Sequence, residues 1–132
     1  MVSTRWYRVN IDIGLKMNFQ LCRDYCLEKL QSREDYPFGP EYTVFKVIDK
    51  VFAILAEDNG IARVNLKCDP AEALALRDIF KAVAPGYHMN KKHWNTVTLD
   101  GSVPLNEIKR QIDNSYQLVV NSLPKAKRPV LA

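Results

Sequence analysis

Polar and apolar residues divide this chain into segments of clearly different period. Between residues 7 and 15, Tyr7, Val9, Ile11, Ile13 and Leu15 alternate with Arg8, Asn10, Asp12 and Gly14. A strict period of two predicts a strand with one buried face, able to add to a sheet edge or to a second copy. From Met17 to Leu30 the period lengthens, with Phe19, Cys22, Cys26 and Leu30 forming a stripe at helical spacing. Gln31 to Pro40 loses regularity and holds the stiff aromatic loop Tyr36-Pro37-Phe38-Gly39-Pro40. A three-stranded meander is expected next: Thr43–Ile48, a turn at Asp49-Lys50, Val51–Ala56, a turn at Asp58-Asn59-Gly60, and Ile61–Lys67.

Asp69-Pro70-Ala71-Glu72 has the pattern of a helix start, with a capping aspartate, a first-turn proline and a glutamate placed to complete a capping box. The stripe Ala73, Leu76, Phe80, Val83 predicts a helix running up to Pro85. Trp94–Leu99 reads as a strand closed by Asp100-Gly101. Pro104 opens the longest helix, with Ile108, Ile112, Tyr116, Val119 and Leu123 on one face, and Pro124 stops it. Lys125–Ala132 is a short basic tail with room for one further turn. The expected organisation is an extension over residues 1–16 and one domain over 17–132.

Composition changes little in this picture. A chain of 132 residues with 47% hydrophobic and 26% charged positions is ordinary for a soluble globular protein. No apolar run approaches the ~18 residues that would span a bilayer, and Arg5, Arg8 and Asp12 interrupt any secretory leader. The expected location is the cytoplasm, without a membrane. Three cysteines fit that compartment: Cys22 and Cys26 read as small core hydrophobes, Cys68 ends a strand, and none has Cys-x-x-Cys spacing.

Charge changes more. The net +4 divides into three basic and one acidic residue over 1–16, thirteen and fourteen over 17–123, and three and none over 124–132. The centre is therefore close to neutral, and only a local basic patch could attract phosphate.

Candidate chemistry collects in Pro85–Val97, which holds both histidines, Trp94 and the adjacent Lys91 and Lys92. In the third meander strand Ala62, Val64 and Leu66 point one way and Arg63, Asn65 and Lys67 the other. If Val97 and Leu99 face the core, Trp94 joins that polar row. Lysines neutralise phosphates, an indole stacks on a base and amides read edges, so the combination suits nucleic acid. The expected contact residues are Arg63, Asn65, Lys67, His88, Asn90, Lys91, Lys92, His93 and Trp94. The competing structural reading has Trp94 filling space beneath the Gly86 loop and the lysines merely solvated. Tyr36 and Phe38 are candidate pocket walls, although such loops more often seal a core.

His88 and His93 are five apart with no cysteine or carboxylate between them, which matches no standard zinc spacing. The histidine segment holds no serine or cysteine nucleophile, and the glycines form no phosphate loop. No catalytic residue, cofactor or metal is expected, and an enzyme is disfavoured.

Tyr36–Pro40, Val44-Phe45-Lys46-Val47, Val64-Asn65-Leu66-Lys67-Cys68-Asp69-Pro70, Pro85–Val97 and Leu99-Asp100-Gly101-Ser102-Val103-Pro104 together resemble the MmcQ/YjbR family, from about Met17 to the C-terminus. The resemblance implies an α+β fold: an antiparallel sheet with helices on one face, a two-layer sandwich of the CyaY-like, double-wing kind found in bacterial frataxin homologues. It also implies a DNA-binding role. Iron binding does not follow, because the first helix sets Arg23 and Lys29 against Asp24 and Glu28, whereas frataxins use an acidic one. Two other classes remain beside DNA binding. One is a protein-interaction adaptor using residues 7–15 or the sheet face; the other is a small-molecule site between the Tyr36–Pro40 and His88–Trp94 loops.

Overall fold

In the computed structural model, which describes residues 15–87 and 89–130, Asn18 starts the first helix, α1 (Phe19–Leu27), by accepting from the Leu21 amide at 2.8 Å. The helix is shorter than its apolar stripe predicts. The Ser32 hydroxyl donates to the carbonyls of Cys26 and Leu27, and Gln31 takes a left-handed conformation with φ of 58°. Those local bonds close the helix before Leu30, which is exposed rather than part of the buried stripe. The expected strand over residues 7–15 lies outside the described residues except for Leu15.

The segment read as irregular begins with a strand, β1 (Ser32–Asp35). Its sequence, Ser-Arg-Glu-Asp, has no apolar alternation because burial is not what holds it. It pairs with β2 (Tyr42–Val47) and forms ion pairs from Glu34 to Arg23 and from Asp35 to Lys46 at 2.9 Å. The meander continues through β3 (Lys50–Asp58) and β4 (Ile61–Lys67). The first turn sits at Ile48-Asp49, one residue earlier than expected. The second uses Asn59 and Gly60, with φ of 53° and 77°, as the Asp-Asn-Gly signal requires.

Helix α2 (Pro70–Ile79) begins at Asp69, whose carboxylate accepts from the Ala71 amide at 3.2 Å. The capping box is not formed: Glu72 instead accepts from Arg110 at 2.7 Å and from Asn114 at 3.4 Å, which tie α2 to the last helix. The helix stops at Ile79, not Pro85. Phe80 is extended, and Val83–Pro85 becomes β5, paired with β6 (Trp94–Thr98). Helix α3 (Leu105–Ser122) runs from Pro104 to the stop before Pro124, and a 3-10 turn follows at Lys125–Lys127. Arg128 then bonds back to the carbonyls of Asn121 and Leu123, satisfying orphan groups at the end of α3.

Among the described residues the six strands are ordered β1-β2-β3-β4-β6-β5, and every neighbouring pair is antiparallel. All three helices pack on one face. Phe45, Phe52, Leu55, Val64 and Val97 from the sheet meet Ile108, Ile112 and Val119 from α3. The Phe52 and Tyr116 rings meet edge to face at 5.3 Å. A bulge leaves Phe52 without a cross-strand partner between the Phe45–Ala53 and Lys46–Val51 pairs. Buried Ser115 serves that irregularity, donating to the Phe52 carbonyl at 2.6 Å and accepting from the Lys67 amide at 2.8 Å. Cys22, Cys26 and Cys68 are buried free thiols in this layer. Burial pushes the Cys68 thiol up to about 11.

Candidate functional site

The side of the sheet away from the helices is where β4 sends its polar row. Ala62, Val64 and Leu66 are buried, while Arg63 is exposed and Asn65 and Lys67 are half-buried. Pairing with β6 sets Arg63 opposite Thr98, Asn65 opposite Thr96 and Lys67 opposite Trp94. Residues opposite one another in an antiparallel pair share a face. Trp94 therefore lies on the open face beside Lys67, and it is half-buried.

Gly86 is what lets the next loop approach. Its amide donates to the Trp94 carbonyl at 2.7 Å, and a Cβ there would stand 2.7 Å from the Trp94 Cβ and 2.9 Å from its carbonyl oxygen. The remainder of the loop is tied down internally. The His93 carbonyl accepts from the Cys68 amide at 2.7 Å, and the His93 amide donates to the Asn90 carbonyl at 3.2 Å. Asn90 Oδ1 accepts from the Lys92 amide at 2.9 Å, so that oxygen is committed to the turn. Lys91, Lys92 and His93 are exposed. His88 lies outside the described residues.

Sequence reasoning missed Arg77. From α2 its Nε donates to Oδ1 of buried Asn95 at 2.7 Å, and its Nη2 donates to the carbonyls of Lys91 and Trp94. The guanidinium fastens the lysine loop to the helical layer. The available signal was spacing, since Arg77 lies one turn beyond buried Ala73, at the margin of the core stripe.

Across the open face, the Tyr36–Pro40 loop contributes Phe38, which is 62% exposed. Phe38, Tyr42, Ile54, Asn65, Tyr87 and Met89 line a cavity of about 320 Å³ that is half open to solvent. Tyr36 is not among these walls; its hydroxyl donates to Glu34 at 2.6 Å. This bond, ahead of the Arg23 ion pair, holds the Glu34 carboxyl below its ordinary range. A second cleft of about 400 Å³ adjoins the first and contains Glu41, Glu57, Asp58 and Arg63. Arg63 thus stands among acids and apart from the lysines it was grouped with. Lys67 lies four positions further along β4, about 13 Å at strand rise. Along β4 the open face runs from Lys67 at one end, next to the loop that carries exposed Lys91 and Lys92, to Arg63 and the acids of the second cleft at the other.

Between the ends runs a short polar chain. The Tyr87 amide donates to Thr96 Oγ1 at 3.0 Å, and the Thr96 hydroxyl donates to Asn65 Oδ1. Among the described residues no group of three or more His, Cys, Asp or Glu side chains could hold a metal ion, and no helix is long and apolar enough to cross a membrane.

Comparison with known proteins places this geometry in a family. The chain is 40% identical over 107 residues to the uncharacterized protein YjbR of Escherichia coli K12, covering 81% of this chain and 91% of that one. It is 41% identical over 90 residues to the uncharacterized protein YbdF of Escherichia coli O157:H7, covering 68% and 74% respectively. The crystal structure of a Deinococcus radiodurans protein with a DUF419 domain superposes with a TM-score of 0.78 at 37% identity, over 86% of this chain and 88% of that one. A Pseudomonas syringae protein superposes at 0.67 and 34% identity, over 77% and 98%. The YjbR family model matches residues 27–118, which span the sheet, both loops of the open face and most of α3. The chain belongs to the YjbR family.

Proposed function

We propose that the chain is a DNA-binding module that takes single-stranded nucleic acid on the open face of its sheet. The observation that carries this reading is the cross-strand Lys67–Trp94 pair, with exposed Lys91 and Lys92 in the loop that leads into β6. An aromatic plate among cations offers a stacking surface and phosphate neutralisation in one place. The acids at the far end limit the phosphate track to the lysine end, which argues against a duplex lying along the whole sheet. Exposed Phe38 and Tyr87 add aromatic surface that only unstacked bases could use.

Three phosphate contacts give a log–log salt slope of about −2.1 on single strands and about −2.7 on duplex. Fluorescence anisotropy with labelled single- and double-stranded DNA at two salt concentrations tests this. The expected result is tighter binding of the single strand, with affinity reduced at least tenfold in Lys91→Ala/Lys92→Ala. Unchanged binding in that variant would remove this surface as the site.

A further inference from the structure

We infer that the cavity of about 320 Å³ holds one unstacked, carbonyl-bearing nucleobase, which donates nothing to Asn65 and accepts a hydrogen bond from it. This inference rests on the nucleic-acid reading above and specifies what the open face selects.

Thr96 Oγ1 accepts from the Tyr87 amide, so its own proton must go elsewhere, and it goes to Asn65 Oδ1. That bond turns Oδ1 toward Thr96 and leaves Nδ2 as the other end of the amide. Asn65 lines the cavity, its oxygen is taken, and its Nδ2 carries the two remaining donors. The polar group facing an occupant is therefore a donor. The best-matched ligand presents a carbonyl oxygen, a stronger acceptor than a bare ring nitrogen; an ammonium or a lone amine does not match.

The walls restrict shape. Phe38, Tyr42 and Tyr87 are aromatic, and Ile54 and Met89 complete an apolar lining. A flat ring can stack against such walls. The volume lies at the small end for ligand pockets, suited to one ring system. The charge gradient then sets direction: a phosphate attached to that ring is drawn toward Lys67, Lys91 and Lys92 and repelled by Glu41, Glu57 and Asp58. Thymine, cytosine and guanine carry a carbonyl acceptor, whereas adenine offers only ring nitrogens, so the pocket prefers a carbonyl-bearing base to adenine.

The experiment compares equal-length oligo(dT), oligo(dA) and an abasic backbone by fluorescence anisotropy, using the full chain and the Asn65→Ala and Phe38→Ala variants. The expected result is oligo(dT) at least tenfold tighter than either competitor, with the ratio to oligo(dA) falling toward one in Asn65→Ala. Phe38→Ala, at an exposed loop position, keeps the test valid if Asn65→Ala does not fold, and should weaken oligo(dT) without changing the abasic backbone. Equal binding of all three oligomers, unaffected by either variant, would overturn the base pocket and leave the nucleic-acid reading standing. A parallel NMR titration with free thymidine separates the opposite case. A shift of the Asn65 side-chain amide with thymidine, alongside no oligomer binding, would keep the pocket and overturn the nucleic-acid reading. No response in either experiment overturns both.

Discussion

Ser115 holds the irregular part of the sheet with one hydroxyl. It donates to the carbonyl of bulged Phe52 and accepts from the Lys67 amide, linking α3 to β3 and β4. Ser115→Ala leaves the buried Phe52 carbonyl and the part-buried Lys67 amide without this partner. Each orphaned group costs about 1–3 kcal/mol, so urea unfolding should show a loss in that range or somewhat above it. Gly86 presents the opposite problem, since nothing can be added there. Gly86→Ala drives a methyl into the Trp94 backbone and Cβ, and the overpacking should cost about 1–3 kcal/mol, read as a lowered midpoint in the same measurement. Neither role could be seen in the sequence. Ser115 sits one position from the apolar stripe of α3, and Gly86 reads as an ordinary turn residue. Only the bulge and the β5–β6 pairing give them work.

Among the elements, those legible from period alone are the ones held by burial: α1, the β2–β4 meander, β6 and α3. The two misread strands lack that support. β1 is polar throughout, and β5 is three residues following a helical stripe whose last member, Val83, pairs with Val97 instead. At the site, alternation in β4 and β6 was enough to bring Trp94 to Lys67. It could not assemble the cavity, whose walls come from β2, β3, β4 and two loops, nor reveal Arg77. Releasing the Arg77 clamp with Arg77→Met should speed hydrogen exchange of the Gly86 and Cys68 amides, whose acceptors lie in the segment it holds. Unchanged exchange would mean that the loop holds itself. β1 also makes a pH prediction. The Glu34 carboxyl is lowered from 4.5 first by the Tyr36 hydroxyl, and Asp35 from 3.8 first by Lys46. A lowered folded value means the stabilisation is present above the ordinary carboxylate value and is lost as pH falls through the folded one. Carboxyl NMR titration should place both midpoints below those ordinary values, and Tyr36→Phe should move that of Glu34 back upward.

For the whole molecule, the near-neutral centre makes the uneven open face matter more than the net charge. Binding that follows the three lysines should be salt-sensitive with a shallow slope, and removing residues 124–132 should leave that slope unchanged if the basic tail is not part of the interface. Anisotropy against salt on the shortened chain decides this. The strand order has a separate consequence for life at high concentration. A sheet whose outermost strands expose unpaired amides can recruit copies of itself and grow into fibres. Among the described residues one rim is Ser-Arg-Glu-Asp and the other is three residues ending in proline; neither offers a long, flat, apolar template. Replacing Arg33 and Asp35 by valine should convert the first rim into such a template, seen as thioflavin-positive aggregation that the native chain resists. The charged strand that looked like a loop is then the guard that keeps a six-stranded sheet from polymerising.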